Sequence, residues 1–468
     1  MITLRPYQSE LIDRLRATMK GGSRAPLLVL PTGGGKTVLF SYFARQANLK
    51  GKRVLILAHR DELIEQISGT LKQFDVKHSF ISADRWFLKE HMTHVGSVFT
   101  VIRRLAQTPR PDVIITDECH HAITDSTWGK VLTHFSHAWR IGVTATPQRL
   151  GGEPLSDMFD SMILGPNVRE LITLGALSDY RIFAPSRPDL TGVHTRMGEY
   201  ARGELAAALD RPSITGSALE HYKKLSPGKR AIVFCVSVEH ARNVARDFQA
   251  AGFKAASVDG TLHRDARGLI IKSFRDGDLQ ILTSCDLVGE GLDVPGIEVA
   301  ILLRPTQSLS LYLQQVGRSL RPFPGKTEAL ILDHAGNTQK HGLPDDERPW
   351  SLDSPIASTR NSKGDSVSVR ICDKCFAAQA PSPACKFCGH VFPVQAREVE
   401  EREGELVELT KEQLARQKTV RMTEQTSSKS RDDLIRLGRS RGYKSAERWA
   451  DHILAAREKK KLERMNHG

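Results

Sequence analysis

Short apolar runs alternate with helical stretches along the first third of the chain, between residues 25 and 146. The runs are rich in Val, Ile and Leu, and the segment 36–49 between the first two has the length of a helix and is followed by Gly51. Continuous apolar strands separated by helices are typical of a parallel sheet that is covered on both faces. The predicted strands are 25–30, 53–58, 98–101, 112–117 and 141–144.

The alternation stops between residues 147 and 200, where glycines and prolines predict a connector, and it then resumes. The strands predicted after the connector are 230–235, 255–258, 279–284, 299–303 and 329–332. We therefore expect an α/β fold with two tandem parallel-sheet domains, at 1–185 and 205–340. Ligands of such sheets bind beside the carboxyl ends of the strands.

The remaining third of the chain differs in composition from the two domains. Residues 338–365 are polar and rich in proline, which predicts a linker or a strap on the surface. Four cysteines follow within a predicted small module at 366–395. The segment 398–468 is a heavily charged tail, in which 431–437 and 446–456 have the apolar spacing of two short helices.

Composition narrows the class of protein. The chain has 468 residues, 40% of them apolar and 26% charged, which is typical of a folded protein and excludes global disorder. No run approaches the length of a membrane span, and the first residues lack the pattern of a secretory signal, so we expect a cytoplasmic protein without a membrane partner. Lys and Arg exceed Asp and Glu by 67 to 54, a net charge of +13, which favours nucleic acid as a partner, ahead of acidic lipid.

A glycine-rich segment at 30–37, Leu-Pro-Thr-Gly-Gly-Gly-Lys-Thr, lies between a predicted strand and a predicted helix. Glycines let backbone N–H groups turn around phosphate oxygens, and the helix N-terminus adds partial positive charge. We expect Lys36 to contact the β- and γ-phosphates of ATP and Thr37 to bind Mg²⁺. Leu30 stands where the P-loop pattern has glycine, and a plain glycine-rich turn is the alternative. The predicted phosphate cradle comprises Thr32, Gly33, Gly34, Gly35, Lys36 and Thr37.

Two adjacent carboxylates, Asp117 and Glu118, end another predicted strand. Asp117 suits the binding of Mg²⁺, and Glu118 can polarise an attacking water as a general base. A bound cation resolves the repulsion between the two carboxylates. The alternative is a surface loop of mixed charge.

Asp-Glu-Cys-His at 117–120 resembles motif II of the superfamily 2 helicases, and segments similar to the other motifs follow the same order. These segments are 4–8 (the N-terminal Gln motif), 58–63 (Ia), 144–147 (III), 233–237 (IV), 282–295 (V) and 314–321 (VI). The resemblance covers residues 4–321 and implies two RecA-like domains with ATP-dependent helicase activity. The segments 303–321 and 332–337, with cysteine pairs after the second domain, are most similar to the RadD-like branch of bacterial and phage DNA repair helicases.

The resemblance also assigns residues to the base and the sugar of ATP. Gln8, with Arg5 beside it, is implied to bind adenine, and a side-chain amide can indeed pair with adenine N6 and N7. In motif V, Asp293, with Gly291 beside it, is implied to contact the ribose.

Motif VI supplies arginines from the second domain. Arg318 and Arg321 are three residues apart and therefore share one face of a helix. An arginine delivered from another domain raises kcat by about 10³–10⁵ in P-loop enzymes. The resemblance favours Arg321 as the principal arginine finger, Arg318 as a γ-phosphate contact and Gln314 as the residue that orients water. A solvated helix face is the alternative.

Several strand ends are candidate contacts to a nucleic-acid backbone. Hydroxyls, backbone amides and basic groups suit phosphate contacts, which carry no sequence information. The candidates are His59, Arg60, Thr100, Val236, Ser237 and Thr283. We expect the protein to bind single-stranded or branched DNA independently of the base sequence, with an affinity that falls as the salt concentration rises. RNA stays an alternative partner.

The four clustered cysteines have the spacing of a metal site. Cys372, Cys375, Cys385 and Cys388 form two Cys-x-x-Cys pairs, which match a tetrahedral zinc ribbon with a structural role. An iron–sulfur cluster is the alternative. The other cysteines, Cys119, Cys235 and Cys285, are expected in or beside core strands.

Two further features leave their role open. His120 is implied by the resemblance to couple the ATP site to the domain interface, whereas His121 is expected to be structural. The tail combines aromatic and basic side chains, which suit nucleic-acid binding by stacking and charge, while a helical pair packed on Trp449 is an equal alternative. These side chains are Arg436, Arg439, Arg441, Tyr443, Lys444, Arg448 and Trp449.

The sequence thus predicts a monomeric ATP-dependent DNA helicase or translocase that uses ATP, Mg²⁺ and Zn²⁺, in DNA repair, recombination or replication. A second hypothesis is an ATP-gated clamp or remodeller that binds nucleic acid without separating strands. RNA unwinding is a third. The expected location is the cytoplasm of a bacterial or phage-infected bacterial cell.

Overall fold

The computed structural model divides the chain into two units, Met1–Pro393 and Val394–Gly468. The residues it describes are 3–82, 88–149, 153–184, 193–196, 199–201, 203–205, 212–285, 296–353, 369–392, 424, 427–428, 430–440, 447, 450–451 and 453–454.

The first unit opens with seven parallel strands in the order β3-β4-β2-β5-β6-β1-β7. The strands are β1 (Pro26–Val29), β2 (Val54–Ala58), β3 (His78–Ile81), β4 (Thr93–Ser97), β5 (Val113–Asp117), β6 (Trp139–Thr144) and β7 (Ser161–Leu164). The helices are α1 (Pro6–Lys20), α2 (Lys36–Leu49), α3 (Asp61–Gln73), α4 (Val98–Val101), α5 (Thr127–His134) and α6 (Val168–Thr173). All residues of β1, β2 and β5 are buried, as expected of a sheet covered on both faces.

A second sheet of eight strands has the order β12-β13-β11-β14-β15-β8-β17-β16. Its strands are β8 (Asp179–Phe183), β11 (Ala231–Phe234), β12 (Ala255–Val258), β13 (Ile281–Ser284), β14 (Val299–Leu302), β15 (Glu328–Asp333), β16 (Arg370–Ile371) and β17 (Ala377–Gln379). Two short strands, β9 (Thr195–Arg196) and β10 (Glu199–Tyr200), form a separate antiparallel pair. The helices are α7 (Pro212–Leu225), α8 (Val238–Ala250), α9 (Arg264–Asp276), α10 (Leu309–Ser319) and α11 (Asn337–His341). The two parallel-sheet α/β domains expected from the sequence are thus present.

Two of the strand predictions need correction. Residues 98–101 form the short helix α4, and the strand of this region is β4, directly before it. The predicted connector at 147–200 contains β7, which extends the first sheet, and β8, which pairs in parallel with β15 of the second sheet. The second sheet therefore takes a strand from chain that the sequence pattern assigned to the first domain.

The cysteine-bearing segment is part of the second sheet. Strands β16 and β17 form an antiparallel hairpin, and β17 pairs with β8 at Ala377↔Phe183 and Ala378↔Ile182. The hairpin therefore continues the sheet, rather than forming a separate module.

After α11 the chain returns to the first domain as a strap, which we define as residues 343–353. The carbonyl of Leu352 accepts hydrogen bonds from the backbone N–H groups of Leu155 and Ser156, and Trp350 packs on the apolar core of the first domain. Arg348 holds the strap in shape, since its guanidinium donates to the carbonyls of His341, Leu343, Pro344 and Asp346. The sequence predicts either a linker or a surface strap after residue 338. The described part of this segment is a surface strap.

The second unit is described by a helix, α12 (Arg431–Ser440), and a small apolar cluster formed by Leu434, Ile435 and Ala450. Within the described residues of the whole chain, no helix combines the length and the hydropathy needed to span a membrane.

Candidate nucleotide site and cysteine cluster

The glycine-rich loop joins β1 to α2 at the carboxyl end of the first sheet. Gly33 and Gly35 have φ of +86° and +88°, in the region that glycine adopts without strain. A Cβ on Gly35 would lie only 2.4 Å from Gln8 Nε2, and one on Gly33 only 2.8 Å from Leu177 Cδ2. The loop therefore needs glycine for its backbone conformation and for its close packing.

Lys36 and Thr37 occupy the first turn of α2, where the partial positive charge of the helix is greatest. Lys36 Nζ donates to the carbonyl of Leu30 at 3.3 Å. Thr32 Oγ1 is buried and has no hydrogen-bond partner among the described residues. A lysine, hydroxyls and a helix N-terminus at one loop are the groups that phosphate and Mg²⁺ require.

The N-terminal motif packs directly on this loop. The Tyr7 hydroxyl donates to the carbonyl of Gly34 at 2.9 Å, and the side chain of Gln8 accepts from the backbone N–H of Arg5 at 3.0 Å. Gln8 is only 4% exposed. The structure thus brings Gln8 to the phosphate loop, whereas Arg5 is exposed and contacts Gln8 through its backbone N–H. Tyr7 was missed as a site residue, although its position directly before Gln8 in the same motif was a signal.

The two carboxylates lie at the same edge of the sheet as the loop. Asp117 ends β5, and only β6 separates β5 from β1, so that the carboxylates and the loop are roughly 10 Å apart. Both carboxylates are buried. Glu118 has φ of +47°, which is uncommon for a residue with a Cβ, and its N–H donates to Asp117 Oδ1 at 3.0 Å. The chain therefore turns sharply at the point where the two acids leave the strand.

A chain of polar contacts leads from Glu118 to the second domain. Glu118 Oε2 is 3.4 Å from His120 Nδ1, and this ring nitrogen is 3.0 Å from Thr144 Oγ1. Thr144 donates in turn to the carbonyl of Thr146, whose own hydroxyl donates to Ser310 Oγ at 2.6 Å. Ser310 lies in α10 of the second domain, so these contacts join motifs II and III to the helix that carries most of motif VI. Ser310 was missed because the sequence motif starts four residues later.

The helix α10 packs against the phosphate loop. A Cβ on Gly317 would lie 2.6 Å from Thr32 Cβ, and Arg321 Cγ is 3.5 Å from the position of a Cβ on Gly33. Glycine at both contacts allows the two backbones to approach closely.

The polar side chains of this helix are withdrawn from solvent. The helix ends at Ser319, two residues before Arg321, which corrects the expectation that Arg318 and Arg321 share one helix face. Gln314 and Arg318 are buried, and Gln314 Nε2 has no hydrogen-bond partner among the described residues. Burial lowers the pKa of Arg321 to about 10, which leaves its guanidinium charged at neutral pH. A charged guanidinium held in low dielectric is stabilised by a nearby anion. The alternative of a solvated helix face therefore does not hold.

Other predicted contacts have different outcomes. Gly291 and Asp293 lie outside the described residues. The Thr283 hydroxyl is buried and donates to the carbonyl of Ala241, and the Ser237 hydroxyl caps α8 by accepting from the N–H of His240. The Thr283 hydroxyl therefore serves the fold, which corrects its assignment as a phosphate contact. The Ser237 hydroxyl accepts its capping bond and keeps its own proton, so its assignment stays a prediction.

Two of the tail cations are paired with acids. Arg436 contacts Asp433 at 2.7 Å, and Arg439 contacts Glu447 at 2.6 Å. The remaining tail residues of the hypothesis, Arg441, Tyr443, Lys444, Arg448 and Trp449, lie outside the described residues.

The four clustered cysteines converge on one point. Their Sγ atoms all lie within 4.8 Å of one another, with Cys372–Cys388 and Cys375–Cys385 at 3.6 Å. Four thiolates around zinc, at Zn–S of about 2.3 Å, stand about 3.8 Å apart. The donor set and its size therefore fit a closed tetrahedral zinc site. Cys119 and Cys235 are buried core residues, as expected, and Cys285 is partly buried.

Comparisons with known proteins agree with this geometry. The family model "Type III restriction enzyme, res subunit" matches residues 1–149, and "Helicase conserved C-terminal domain" matches 216–322. A "51.5 kDa protein" of a Lactococcus phage (isolate 7-9) is 34% identical over 388 residues, which are 82% of each chain. The chain belongs to the superfamily 2 helicases. It is a nucleic-acid-dependent ATPase or helicase.

Further relatives carry names of two kinds. One relative is the Saccharomyces cerevisiae protein IRC3, whose name describes an ATP-dependent helicase, and it is 31% identical to this chain. The match covers 71% of this chain but only about half (51%) of the yeast protein. A fragment assigned as the HsdR subunit of a type I restriction enzyme from Vibrio vulnificus YJ016 superposes with a TM-score of 0.58 at 25% identity, covering 74% of this chain and 67% of the fragment. The RadD-like branch stays a prediction.

Proposed function

We propose that this superfamily 2 chain is an ATP-dependent DNA helicase or translocase that hydrolyses ATP with Mg²⁺ when bound to nucleic acid. The observation that carries the proposal is the packing of α10 and the residues directly after it on the phosphate loop, at Gly317 on Thr32 and at Arg321 on Gly33. An ATP molecule at this loop meets groups from both domains. ATP binding therefore favours the closed arrangement of the two domains, and ATP hydrolysis allows the domains to open again.

The residues at the loop fit ATP and its metal. Thr37 and Asp117 would hold Mg²⁺, which neutralises charge on the phosphates and acts as a Lewis acid when bound. Lys36 would bind the β- and γ-phosphates, and Glu118 would accept the proton of the attacking water. The buried orphan atoms Thr32 Oγ1 and Gln314 Nε2 support a polar ligand at this place.

The chain of contacts from Glu118 to Ser310 supports the coupling of hydrolysis to domain movement. We infer that a change in the state of Glu118 reaches α10 through its contact with His120 and then through the hydrogen bonds that join His120, Thr144, Thr146 and Ser310. Opening of the cleft breaks the Thr146–Ser310 bond and an ion pair between Arg267 of α9 and Glu62 of α3 at 3.3 Å. Hydrolysis can therefore change the distance between the two domains and between their contacts to a nucleic-acid strand.

The activity test compares ATP hydrolysis on single-stranded, duplex and branched DNA and on RNA. Lys36→Ala is expected to abolish turnover, because no other lysine of the loop replaces its charge, and to leave the thermal melt unchanged. Lys50→Ala is the matched control, since Lys50 is exposed at the other end of α2. Equal hydrolysis by Lys36→Ala and Lys50→Ala contradicts the assignment of the site.

A displacement assay separates the two classes of function. A helicase releases the labelled strand of a partial duplex, whereas a clamp or remodeller hydrolyses ATP without release. A translocase on duplex DNA is a third outcome of the assay, since it displaces a triplex-forming strand and leaves the duplex intact. Phage and Escherichia coli relatives support a location in the cytoplasm of a bacterial or phage-infected cell. We further propose that the protein acts as a monomer in DNA repair, recombination or replication.

We also propose that Cys372, Cys375, Cys385 and Cys388 hold a structural zinc ion. The supporting observation is the convergence of the four Sγ atoms beside β17, which pairs with β8 in the second sheet. Protein purified without chelator is expected to contain about one zinc per chain. Cys388→Ser lowers this content and Cys285→Ser does not; iron in place of zinc would identify the alternative cluster.

A further inference from the structure

A cavity of about 310 Å³ opens between the cysteine hairpin and the neighbouring elements of the second domain. We name it the ribbon cavity. The hairpin contributes Lys374, Phe376 and Phe387, and the second domain contributes its remaining walls from β8, α7 and the end of β15. Its size lies at the lower end of small-ligand pockets, which span about 300–1,000 Å³.

Two phenylalanines of the hairpin are held at the surface. Phe376 is 40% exposed and Phe387 is 44% exposed. Phe376 follows the first cysteine pair with φ of +60°, whereas Gly389 has the same place after the second pair with φ of +71°. This backbone conformation is an outlier for a bulky residue and suits glycine. The first turn thus has a phenylalanine at a position where the backbone conformation favours glycine. A side chain at such a strained position is typical of a residue that makes a functional contact.

A buried histidine in the cavity wall offers a polar group. His334 is only 5% exposed, and its Nε2 has no hydrogen-bond partner among the described residues. Burial, with a smaller contribution from the charge of His221, lowers the pKa of His334 to about 4, so the ring is neutral at neutral pH. A neutral imidazole has one donor and one acceptor nitrogen, which suits the edge of a base.

Three cationic side chains line the cavity beside Cys375 and Cys388 of the proposed zinc site. Arg181, Lys224 and Lys374 line it, and none of the described residues that line it is a carboxylate. Arg181 is paired with Glu328 beside the cavity. Neither Lys224 nor Lys374 forms an ion pair within the described part of the chain, so both ammonium groups can take a phosphate oxygen.

We propose that the ribbon cavity binds an unpaired base of a single-stranded nucleic acid, which stacks on Phe376 and Phe387 while its phosphate contacts Lys224 and Lys374. Aromatic faces flanked by cations are the combination that holds single strands without regard to sequence. The proposal depends on the proposed function only in taking nucleic acid as the partner, since it requires no ATP. It adds a contact at the ribbon, away from the nucleotide cleft.

The experiment measures the affinity of the full chain for a fluorescent single strand without nucleotide. Phe376→Ala and Phe387→Ala each raise Kd by about 5- to 150-fold, the equivalent of one lost stacking contact. Phe376→Trp retains binding. Phe323→Ala is the matched control, because Phe323 is comparably exposed (37%) in the same domain but lies outside the cavity lining. Zinc content is measured for every variant, and the comparison uses those with unchanged zinc.

A second arm tests the base itself. A strand of equal length that carries sugar and phosphate but no bases binds the wild type at least as weakly as Phe376→Ala binds the normal strand, because it loses the stacking on both phenylalanines. The proposal fails if both phenylalanine variants bind like Phe323→Ala, which is the result expected of a protein-binding cavity. It also fails if the baseless strand binds with full affinity, or if a free mononucleotide binds as tightly as the strand.

The outcome is distinguishable from that of the proposed motor. The Lys36→Ala protein keeps the dependence of binding on Phe376, because the ribbon cavity does not use ATP. Loss of hydrolysis with this dependence intact leaves the cavity assignment standing. Normal hydrolysis with no effect of Phe376→Ala on binding removes the cavity assignment alone.

Discussion

The tight contact between Gly317 and the phosphate loop makes Gly317→Ala a direct test of the two-domain site. An added Cβ would lie 2.6 Å from Thr32 Cβ and 2.9 Å from its Cγ2. Carbon atoms in contact rest at about 3.5–4.0 Å, so α10 and the loop must separate by roughly 1 Å. A displacement of about 1 Å near reacting groups costs about 10²-fold in rate. We therefore expect kcat for ATP to fall about 100-fold.

Stability is expected to respond differently from activity. Alanine is better than glycine inside a helix by about 0.8–1 kcal/mol, which offsets part of the local clash in Gly317→Ala. Gly268→Ala in α9 is the control, since nothing lies within 4 Å of its added Cβ. The assay is steady-state ATP hydrolysis with saturating single-stranded DNA, beside a thermal melt. Turnover by Gly317→Ala at the rate of Gly268→Ala, with both proteins folded, would refute the interdomain site.

Three further predictions test coupling, metal and pH. Thr146→Val removes the hydroxyl that donates to Ser310, so DNA-stimulated hydrolysis falls by about 2- to 12-fold, the equivalent of one hydrogen bond, while Thr146→Ser retains it. A zinc chelator lowers the melting temperature of the wild type, and an unchanged melt would contradict a structural zinc. Burial lowers the pKa of the His341 side chain to about 4. Between pH 6.5 and 4 this histidine is therefore protonated in the unfolded chain but neutral in the folded protein. As the pH is lowered through this range, the free energy of unfolding falls by up to about 1.4 kcal/mol per pH unit. Urea unfolding of His341→Gln shows a shallower loss over this range, and an identical slope would disprove the contribution.

The predictable part of the fold consists of strands whose signal is local. Val54–Ala58 and Val113–Asp117 are continuous apolar runs between helices, and both are fully buried parallel strands within one residue of the predicted bounds. Residues 98–101 contain three apolar residues and Thr100, yet they form a helix, because so short an apolar run is compatible with either structure. The real strand, Thr93–Ser97, contains threonine, histidine, glycine and serine and gave no apolar signal.

The unpredicted part of the fold depends on pairing between distant segments. Strand β8 belongs to the second sheet only through its register with β15, about 150 residues later, and β17 joins only through β8. Nothing in the local pattern of these strands specifies such a partner. For the same reason the sequence located the cysteines of the metal site but not the cavity that their hairpin forms with the second domain.

The candidate ATP site follows the same division. The glycine loop, Asp117 and Glu118 were predictable because each chemical group sits beside its own strand. The contact of Thr146 with Ser310 spans 164 residues, and it exists only because two sheets face each other. Sequence motifs therefore identify the reacting groups, whereas the contacts that couple those groups across the cleft require the tertiary structure.

The path of the chain constrains how the cleft can open. The chain crosses from the first domain to the second just before β8, and the strap crosses back to contact Leu155 and Ser156 of the first domain through Leu352. The chain thus connects the two domains at two places. Rotation of one domain about the line between these two connections is the least hindered movement, because translation of a domain would stretch at least one of the connections. The strap also carries Arg348, whose four carbonyl bonds make it stiff rather than extensible. An opening that separates α10 from the phosphate loop is therefore expected to be a hinge rotation that keeps the strap in place.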